Sequence, residues 1–465
     1  MAGRDRVVNL LRQLERAACR CPAHSQTYHQ VSAHGSGSRT TDYAFEMASS
    51  NIRYGEGVTT EIGMDLRNLG ARNVCLMTDR TVSRLPPLTA VLDSLAKHDV
   101  TFRCYDRVRV EPTNSSFRDA IDFAKRGDFD AYVAVGGGSV IDTCKAANLY
   151  ACHPEADFLD FVNAPIGKGQ PVTQTLKPLI AVPTTAGTGS ETTGVAIFDY
   201  EPLKAKTGIA SRALRPTLGM VDPLHTLHMP ERVAANSGFD VLCHALESYT
   251  ALPYSQRQPC PTNPINRPAY QGSNPISDVW SRHALHVVAK YMKRAVRDPG
   301  DVEARSSMHL ASVFAGIGFG NAGVHLCHGM SYPIAGNVKI FRAKDYDVDH
   351  PIVPHGLSVV LTSPAVFAFT GPMCPERHLE AAQILGADVR RVKRKDAGSV
   401  LADTLRDILQ DLQVEDGLGA IGYTQADIPA LVKGTIPQER VTKLAPRTHT
   451  EDDLAQLFEA SLKLY

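Results

Sequence analysis

The chain has 465 residues, of which 43% are hydrophobic and 21% charged, so it can bury a substantial core and has the length of about two or three domains. Lysine plus arginine number 49, and aspartate plus glutamate also number 49, so no net charge attracts nucleic acid or an anionic membrane surface. The sequence has no run of roughly eighteen apolar residues, which excludes a bilayer-spanning helix. The ten scattered cysteines form no CxxC pair, a pattern typical of reduced thiols in an intracellular compartment.

The first forty residues carry six arginines against only Asp5 and Glu15. Apolar residues recur at helical spacing from Val7 to Ala18, and a stretch rich in Ser, Thr, Gly and His (25–41) follows. A basic amphipathic helix with such a tail is typical of a mitochondrial transit peptide. We therefore predict that residues 1–45 are a transit peptide and flexible segment addressed to the mitochondrial matrix. A disordered basic arm is the alternative.

From about residue 50, strand-like and helix-like segments alternate along the chain. The predicted strands are 73–79, 100–106, 130–138 and 178–185, and the predicted helices are 87–98, 115–127 and 139–151. Alternation of this length predicts a parallel sheet with helices on both faces. We place this α/β domain at residues 46–225.

Beyond residue 225 the strand patterns fade and amphipathic helical patterns dominate. The predicted helices are 232–251, 277–296, 303–320, 376–385, 398–412 and 453–465. Six prolines between residues 251 and 277 are incompatible with a helix and predict a long loop. Residues 226–465 are therefore predicted to form an all-helical domain.

Two glycine-rich loops follow predicted strands of the first domain. In GGGSVID (136–142), three glycines open a helix, where the backbone can approach a ligand closely and the free N–H groups attract an anion such as a pyrophosphate. Taken alone, these glycines would more often indicate a plain turn between strand and helix. PTTAGTGSE (183–191) adds a second loop with several hydroxyls, and the pair favours dinucleotide binding, although neither is the GxGxxG fingerprint.

Asp79 ends the predicted strand 73–79. A carboxylate at this end of a parallel strand can accept hydrogen bonds from a ribose and repel a 2′-phosphate, which favours NAD over NADP. A helix-capping or surface aspartate is an equally good interpretation of this residue alone.

A possible metal site is distributed over the second half of the chain. Asp240 and His244 are four residues apart on an apolar helix and so share one face. His328 comes from another helix, and His355 lies between a proline and a glycine. One carboxylate and three imidazoles suit a divalent metal such as Fe²⁺ or Zn²⁺. With 17 histidines in the chain, each could instead be a core residue.

Five motifs, taken in order, resemble those of the iron-containing alcohol dehydrogenases. They are GGGSVID, PTTAGTGSE, GFDVLCHALE, HGMSYP and PHG, and the resemblance covers residues 46–465. It implies a dehydroquinate-synthase-like architecture, with an α/β dinucleotide-binding domain followed by an all-α metal-binding domain. It also implies an oxidoreductase that uses NAD and a divalent metal, with Fe²⁺ favoured over Zn²⁺.

The resemblance assigns roles to individual residues. Those matching the family's four metal ligands, which are also catalytic candidates, are Asp240, His244, His328 and His355. Those in the cofactor loops are Gly136, Gly137, Gly138, Ser139, Asp142, Thr184, Thr185 and Thr188. Asp79 matches the ribose-binding residue, and Lys206 matches a lysine close to the bound cofactor.

The chain also departs from many of these enzymes. A second histidine often follows the ligand matched by His328 by four residues, near the nicotinamide; here it is Tyr332, a further catalytic candidate. The segment from His328 to His355 is longer than in short bacterial members, and loop 251–277 looks inserted. With the transit-like N-terminus, these features resemble the mitochondrial transhydrogenase branch of the family. Its reaction oxidises 4-hydroxybutyrate to succinate semialdehyde and reduces 2-oxoglutarate to 2-hydroxyglutarate.

Small-molecule hydroxy- and oxo-acids are therefore the expected partners, and their carboxylates require a cation. Lys339, Arg342 and Lys344 are candidates, with a solvated basic loop as the alternative. Three other functions remain open. They are an ordinary NAD-dependent alcohol dehydrogenase that releases its cofactor, a dehydroquinate-synthase-like lyase, and a catalytically inactive metal-binding regulatory protein. The oligomeric state is also open, and a homo-oligomer is compatible with the sequence.

Overall fold

The structure, a computed structural model, describes residues 40–465. The predicted targeting helix therefore lies outside the described residues. Within them, no single helix is long and apolar enough to cross a membrane, although two helices that meet at 103° satisfy the length and composition criteria together. The eight cysteines of this part of the chain are all free thiols.

A parallel sheet forms the first part of the fold. The strands are β1 (Asn51–Tyr54), β2 (Val74–Asp79), β3 (Phe102–Val108), β4 (Ala131–Gly136), β5 (Leu179–Pro183), β6 (Val195–Tyr200), β7 (Ala205–Ala210) and β8 (Leu218–Val221). Six of them form one sheet in the order β1–β8–β5–β4–β2–β3, and every neighbouring pair is parallel. Strands β2, β4 and β5 are buried along their whole length because helices cover both faces, which explains their continuous apolar runs.

Four helices accompany these strands. They are α1 (Ile62–Asn68), α2 (Pro86–Lys97), α3 (Asn114–Lys125) and α4 (Gly138–Cys152). Helices α2, α3 and α4 begin and end within about two residues of the predicted positions, and the predicted α/β class is confirmed.

An antiparallel hairpin, β6–β7, was not predicted from the sequence. Its strands carry Asp199 and Lys206, two charged residues that do not suggest buried strands. These residues are direct cross-strand partners, and their side chains form an ion pair at 3.1 Å. The pairing itself makes their burial tolerable, so neither strand is recognisable alone.

The rest of the chain is mostly helical, as predicted. The helices are α5 (Glu231–Thr250), α6 (Pro275–Arg297), α7 (Val302–Ala322), α8 (Leu326–Gly336), α9 (His355–Val360), α10 (Ser363–Thr370), α11 (Pro375–Ile384), α12 (Ala397–Asp411), α13 (Gly417–Ala420), α14 (Ile428–Thr435), α15 (Glu439–Thr442) and α16 (Glu451–Ala460). The Pro-rich loop lies between α5 and α6 and ends at Pro275, which occupies the first turn of α6, where its missing N–H costs nothing.

Helix α5 lies at the centre of the helical part, where every residue from Gly238 to Thr250 is buried. The predicted domain boundary at 225/226 falls in a short 3₁₀ turn (Pro223–His228) between β8 and α5. The division into domains at that point remains a prediction.

Candidate active site

One face of helix α5 supplies two of the predicted metal ligands. Asp240 and His244 are one helical turn apart and both are almost fully buried. Their side chains approach each other, with 3.6 Å between His244 Nε2 and Asp240 Oδ1. This distance is too long for a hydrogen bond.

Helices α8 and α9 bring the other two predicted ligands to the same place. The Nε2 atoms of His328 and His355 lie 3.6 and 3.7 Å from Asp240 Oδ1. One ligand atom from each of the four residues lies within 4.8 Å of all the others. In a tetrahedral site with bonds of about 2.1 Å, neighbouring ligand atoms are roughly 3.4 Å apart. The cluster therefore fits a divalent metal ion.

Unpartnered polar atoms in this cluster support the same fit. Asp240 Oδ1 and His328 Nε2 are buried and have no hydrogen-bond partner. Buried polar atoms are rarely left without a partner, so atoms that converge on one point need a shared one. A cation satisfies both of them.

A second carboxylate on helix α5 orients one of these imidazoles. Glu247 is fully buried and accepts a hydrogen bond from His328 Nδ1. It also accepts the backbone N–H groups of His325 and Cys327 at 3.0 and 2.7 Å. With Nδ1 donating to Glu247, Nε2 is the nitrogen of His328 that faces the cluster, and it can ligate a metal that displaces its proton. Glu247 belongs to the GFDVLCHALE motif. Its position one helical turn after His244, on the same helix, is the sequence signal that could have identified it as a residue of the site.

The electrostatics of the cluster differ from one imidazole to the next. Burial lowers the pKa of His244 to about 3, and it also lowers the pKa of His355, so both rings are neutral. Burial also acts to lower the pKa of His328, but Glu247 and Asp240 outweigh it and raise that pKa to about 9. For Asp240, burial favours the neutral acid, but the imidazoles outweigh it and hold the pKa below its ordinary value. His244 is further held by Phe319, whose ring stacks on it at 3.8 Å.

A cleft beside this cluster is lined by most of the predicted cofactor residues. They are Asp79, Gly137, Gly138, Ser139, Thr184, Thr185 and Thr188. The glycine-rich loops follow β4 and β5, adjacent parallel strands, so both lie at the carboxyl edge of the sheet. Ser139, Thr188 and His355 line both this cleft and the smaller pocket that contains His244 and His328. A nucleotide in the cleft would therefore extend toward the metal ligands.

The cleft and its metal cluster combine the parts of a known enzyme family. The profile described as "Iron-containing alcohol dehydrogenase" matches residues 49–223. A second profile, "Fe-containing alcohol dehydrogenase family, C-terminal", matches residues 269–462. The chain belongs to the iron-containing alcohol dehydrogenase family. It is accordingly an oxidoreductase, as the motifs predict.

Full-length relatives and solved structures agree with this assignment. The chain is 76% identical over 464 residues to a Xenopus tropicalis protein named "Hydroxyacid-oxoacid transhydrogenase, mitochondrial", with 100% of both chains covered. It is 73% identical to the human protein of the same name, covering 100% of this chain and 99% of the other. A sulfoacetaldehyde reductase from Bifidobacterium kashiwanohense, solved in complex with NAD⁺, is 25% identical with a TM-score of 0.72, over 90% of this chain and 99% of that one.

Close packing between the two loops explains the glycines of this alcohol dehydrogenase cleft. A Cβ atom on Gly138 would lie 2.5 Å from Thr188 Cγ2, and one on Gly136 would lie 2.5 Å from Val140. Gly136 ends β4 and is not part of the cleft lining, so its contribution is to this turn. Asp142 links the loops by accepting hydrogen bonds from Ser190 Oγ at 2.5 Å and the Ile197 amide at 2.9 Å.

Asp79 serves its own loop and also faces the cleft. Its Oδ1 accepts the backbone N–H groups of Thr81 and Val82, both at 2.8 Å. The structure thus combines the two interpretations of this residue, because a turn-capping carboxylate still lines the cleft. Its predicted role as the ribose acceptor remains a prediction.

Lys206 lines the metal-containing pocket but is already paired. Its ammonium group donates to Glu111 Oε2 at 2.5 Å and lies 3.1 Å from Asp199. Glu111 also accepts the backbone N–H of His355 at 3.1 Å, so it connects Lys206 to a metal ligand. Burial acts to lower the pKa of Lys206, but the two carboxylates outweigh it and raise that pKa. Glu111 was not predicted as a site residue, because it lies in an irregular loop outside every recognised motif.

Tyr332, a predicted catalytic residue, lines the pocket beside His328. The three candidate cations for substrate carboxylates do not line this pocket. Lys339 pairs with Asp427 at 2.7 Å, Arg342 donates to the backbone of Asp349, and Lys344 is exposed. These contacts do not support the hypothesis that the 339–344 segment binds the substrate.

Proposed function

We propose that this chain is a hydroxyacid-oxoacid transhydrogenase of the mitochondrial matrix. It oxidises 4-hydroxybutyrate to succinate semialdehyde and reduces 2-oxoglutarate to 2-hydroxyglutarate, so that one hydride passes between the two substrates through one NAD. The observation that carries this proposal is the continuity of the nucleotide cleft with the metal-ligand pocket through Ser139, Thr188 and His355. The printed name of the full-length relatives supports the choice of substrates.

We further propose that Asp240, His244, His328 and His355 hold one divalent metal, Fe²⁺ in preference to Zn²⁺. Such a metal supplies Lewis-acid polarisation of the substrate oxygen. The chain keeps His244 and His355 neutral by burial and holds His328 in the ligating tautomer through Glu247. Because the cluster lies in a buried pocket, the electrostatic effect of each of these groups is stronger than in water.

NAD supplies the hydride acceptor and donor. In this proposal the loop amides and hydroxyls of Gly137, Gly138, Ser139, Thr184 and Thr185 bind its phosphates, and Asp79 Oδ2 accepts from its ribose. The absence of a side chain on Gly138 allows this loop to pack closely against Thr188 of the second loop, since a Cβ atom there would lie 2.5 Å from Thr188 Cγ2.

The proposal is tested with protein freed of loose nucleotide by gel filtration. Given 4-hydroxybutyrate and 2-oxoglutarate without added NAD, it should form 2-hydroxyglutarate steadily, with ping-pong kinetics. His328→Ala should lose both the metal and this activity. If product forms only after NAD is added, and free NADH accumulates without an oxoacid, the chain is instead an ordinary dehydrogenase.

A further inference from the structure

The proposed substrates share one anionic feature. In 4-hydroxybutyrate, two methylene groups separate the carboxylate from the carbon that bears the hydroxyl. In 2-oxoglutarate, two methylene groups likewise separate the distal carboxylate from the ketone carbon. A single anion-binding group at a fixed distance from the metal ligands can therefore serve both half-reactions.

Two buried lysines near the metal-containing pocket are already neutralised. Lys206 is paired with Glu111 and Asp199. Lys145 is within 3.4 Å of Asp142 and donates to Ser190 Oγ at 2.6 Å. Lys145 also donates to the Val195 carbonyl at 2.8 Å, and the charge of Lys206 is already balanced by two carboxylates, so a substrate carboxylate needs another cation.

Arg440 is a cation that lies behind the lining of the pocket, in contact with two residues that belong to that lining. It lies on α15, and its Nη2 donates to the Tyr332 hydroxyl at 3.0 Å. Its guanidinium stacks over the ring of Tyr270 at 4.8 Å. Its Nη1 is buried and has no hydrogen-bond partner among residues 40–465. The carboxylate of the adjacent Glu439 pairs with Lys443 and not with Arg440. A buried guanidinium nitrogen without an acceptor is costly unless a ligand supplies one.

The two aromatic residues in contact with Arg440 face the metal ligands. Tyr270 and Tyr332 line the same pocket as His244 and His328. The Tyr332 oxygen accepts from Arg440, so the phenol proton is free to donate to another acceptor. Burial raises the pKa of Tyr332, and it raises the pKa of Tyr270 to about 12, so both hydroxyls keep their protons at neutral pH.

We propose that Arg440 and Tyr332 together bind the substrate carboxylate that lies two methylene groups from the reacting carbon, in both half-reactions. This inference rests on the proposed transhydrogenase function. The carboxylate supplies the acceptor that Arg440 Nη1 lacks and takes the free proton of the Tyr332 hydroxyl in a hydrogen bond. Charge-assisted bonds of this kind select a hydroxy-acid over a neutral alcohol of the same length.

The experiment compares 4-hydroxybutyrate with 4-hydroxybutanamide, which has the same chain length and no charge. In Arg440→Gln, kcat/KM for 4-hydroxybutyrate should fall by about 10- to 100-fold, while kcat/KM for the amide changes little. The loss for 2-oxoglutarate should match the loss for 4-hydroxybutyrate, because one site serves both. Lys433→Gln, which removes an exposed cation from the last turn of α14, is the matched control and should leave both values unchanged.

Tyr332→Phe provides a second variant, and metal content and the thermal midpoint report on the integrity of each protein. The loss of kcat/KM in Tyr332→Phe should be smaller than in Arg440→Gln but again confined to the carboxylate substrates. If the wild-type protein turns over no hydroxy-acid, the proposed function fails. If the wild type is active but either folded variant loses the amide and the carboxylate reactions equally, or loses only one half-reaction, the carboxylate assignment is overturned.

Discussion

Replacing Glu247 by glutamine should weaken metal binding without touching a ligand. The native carboxylate accepts hydrogen bonds from His328 Nδ1 and from the backbone amides of His325 and Cys327. The glutamine side chain has one acceptor and one donor end. If its oxygen stays with the two backbone amides, its NH₂ group faces His328 Nδ1, and two donors meet.

The imidazole then relieves this clash by moving its proton from Nδ1 to Nε2. Protonated Nε2 cannot ligate, and it is the Nε2 atom that lies 3.6 Å from Asp240 Oδ1. Loss of an outer-shell carboxylate typically lowers metal affinity about 10- to 100-fold. This corresponds to about 1.4–2.7 kcal/mol of binding free energy. Glu247 is fully buried, so solvent cannot replace the lost acceptor, and the upper half of this range is expected.

Metal affinity is measured by competition with a fluorescent chelator near pH 7.5, and metal content by elemental analysis after dialysis. Glu231→Gln is the matched control, since Glu231 is an exposed carboxylate in the first turn of the same helix. Its affinity should equal that of the wild type. A Glu247→Gln protein that binds metal within about twofold of the control would refute the argument that Glu247 sets the His328 tautomer.

Three further predictions concern stability, the cofactor loops and targeting. Burial raises the pKa of Glu191 from 4.5 to about 7, so its stability contribution is complete below pH 4.5 and is lost as pH rises to 7. Glu191→Gln should remove about 3 kcal/mol of that pH dependence in urea unfolding, and unchanged curves would contradict it. Gly138→Ala should lose about 1–3 kcal/mol of stability and bind NAD more weakly, because the added Cβ atom would lie 2.5 Å from Thr188 Cγ2. Gly55→Ala is the control and should change neither quantity, because no atom lies within 4 Å of its added Cβ. Residues 1–45 fused to a cytosolic reporter should carry it into mitochondria, and a reporter that stays in the cytosol would count against targeting.

Sequence patterns predicted the parts of this protein that depend on neighbouring residues. Continuous apolar runs predicted β2, β4 and β5, because a strand buried on both faces is apolar along its length. Helical spacing placed Asp240 and His244 on one face of α5, and the order of five motifs identified the family. These features depend on local periodicity and short motifs, which can be recognised in the sequence without knowledge of tertiary contacts.

Tertiary structure alone decided the contacts between distant segments. The β6–β7 hairpin buries Lys206 because Asp199 on the neighbouring strand and Glu111 from a distant loop both neutralise it. Arg440 meets Tyr332 from 108 positions away, whereas Lys339, much closer in sequence to the ligand histidines, is engaged by Asp427. A buried charge is stable only with its partner in place, and no spacing rule specifies which distant residue that partner is. The sequence therefore determined the fold class and the metal-ligand candidates, while packing decided which residue partners each charge.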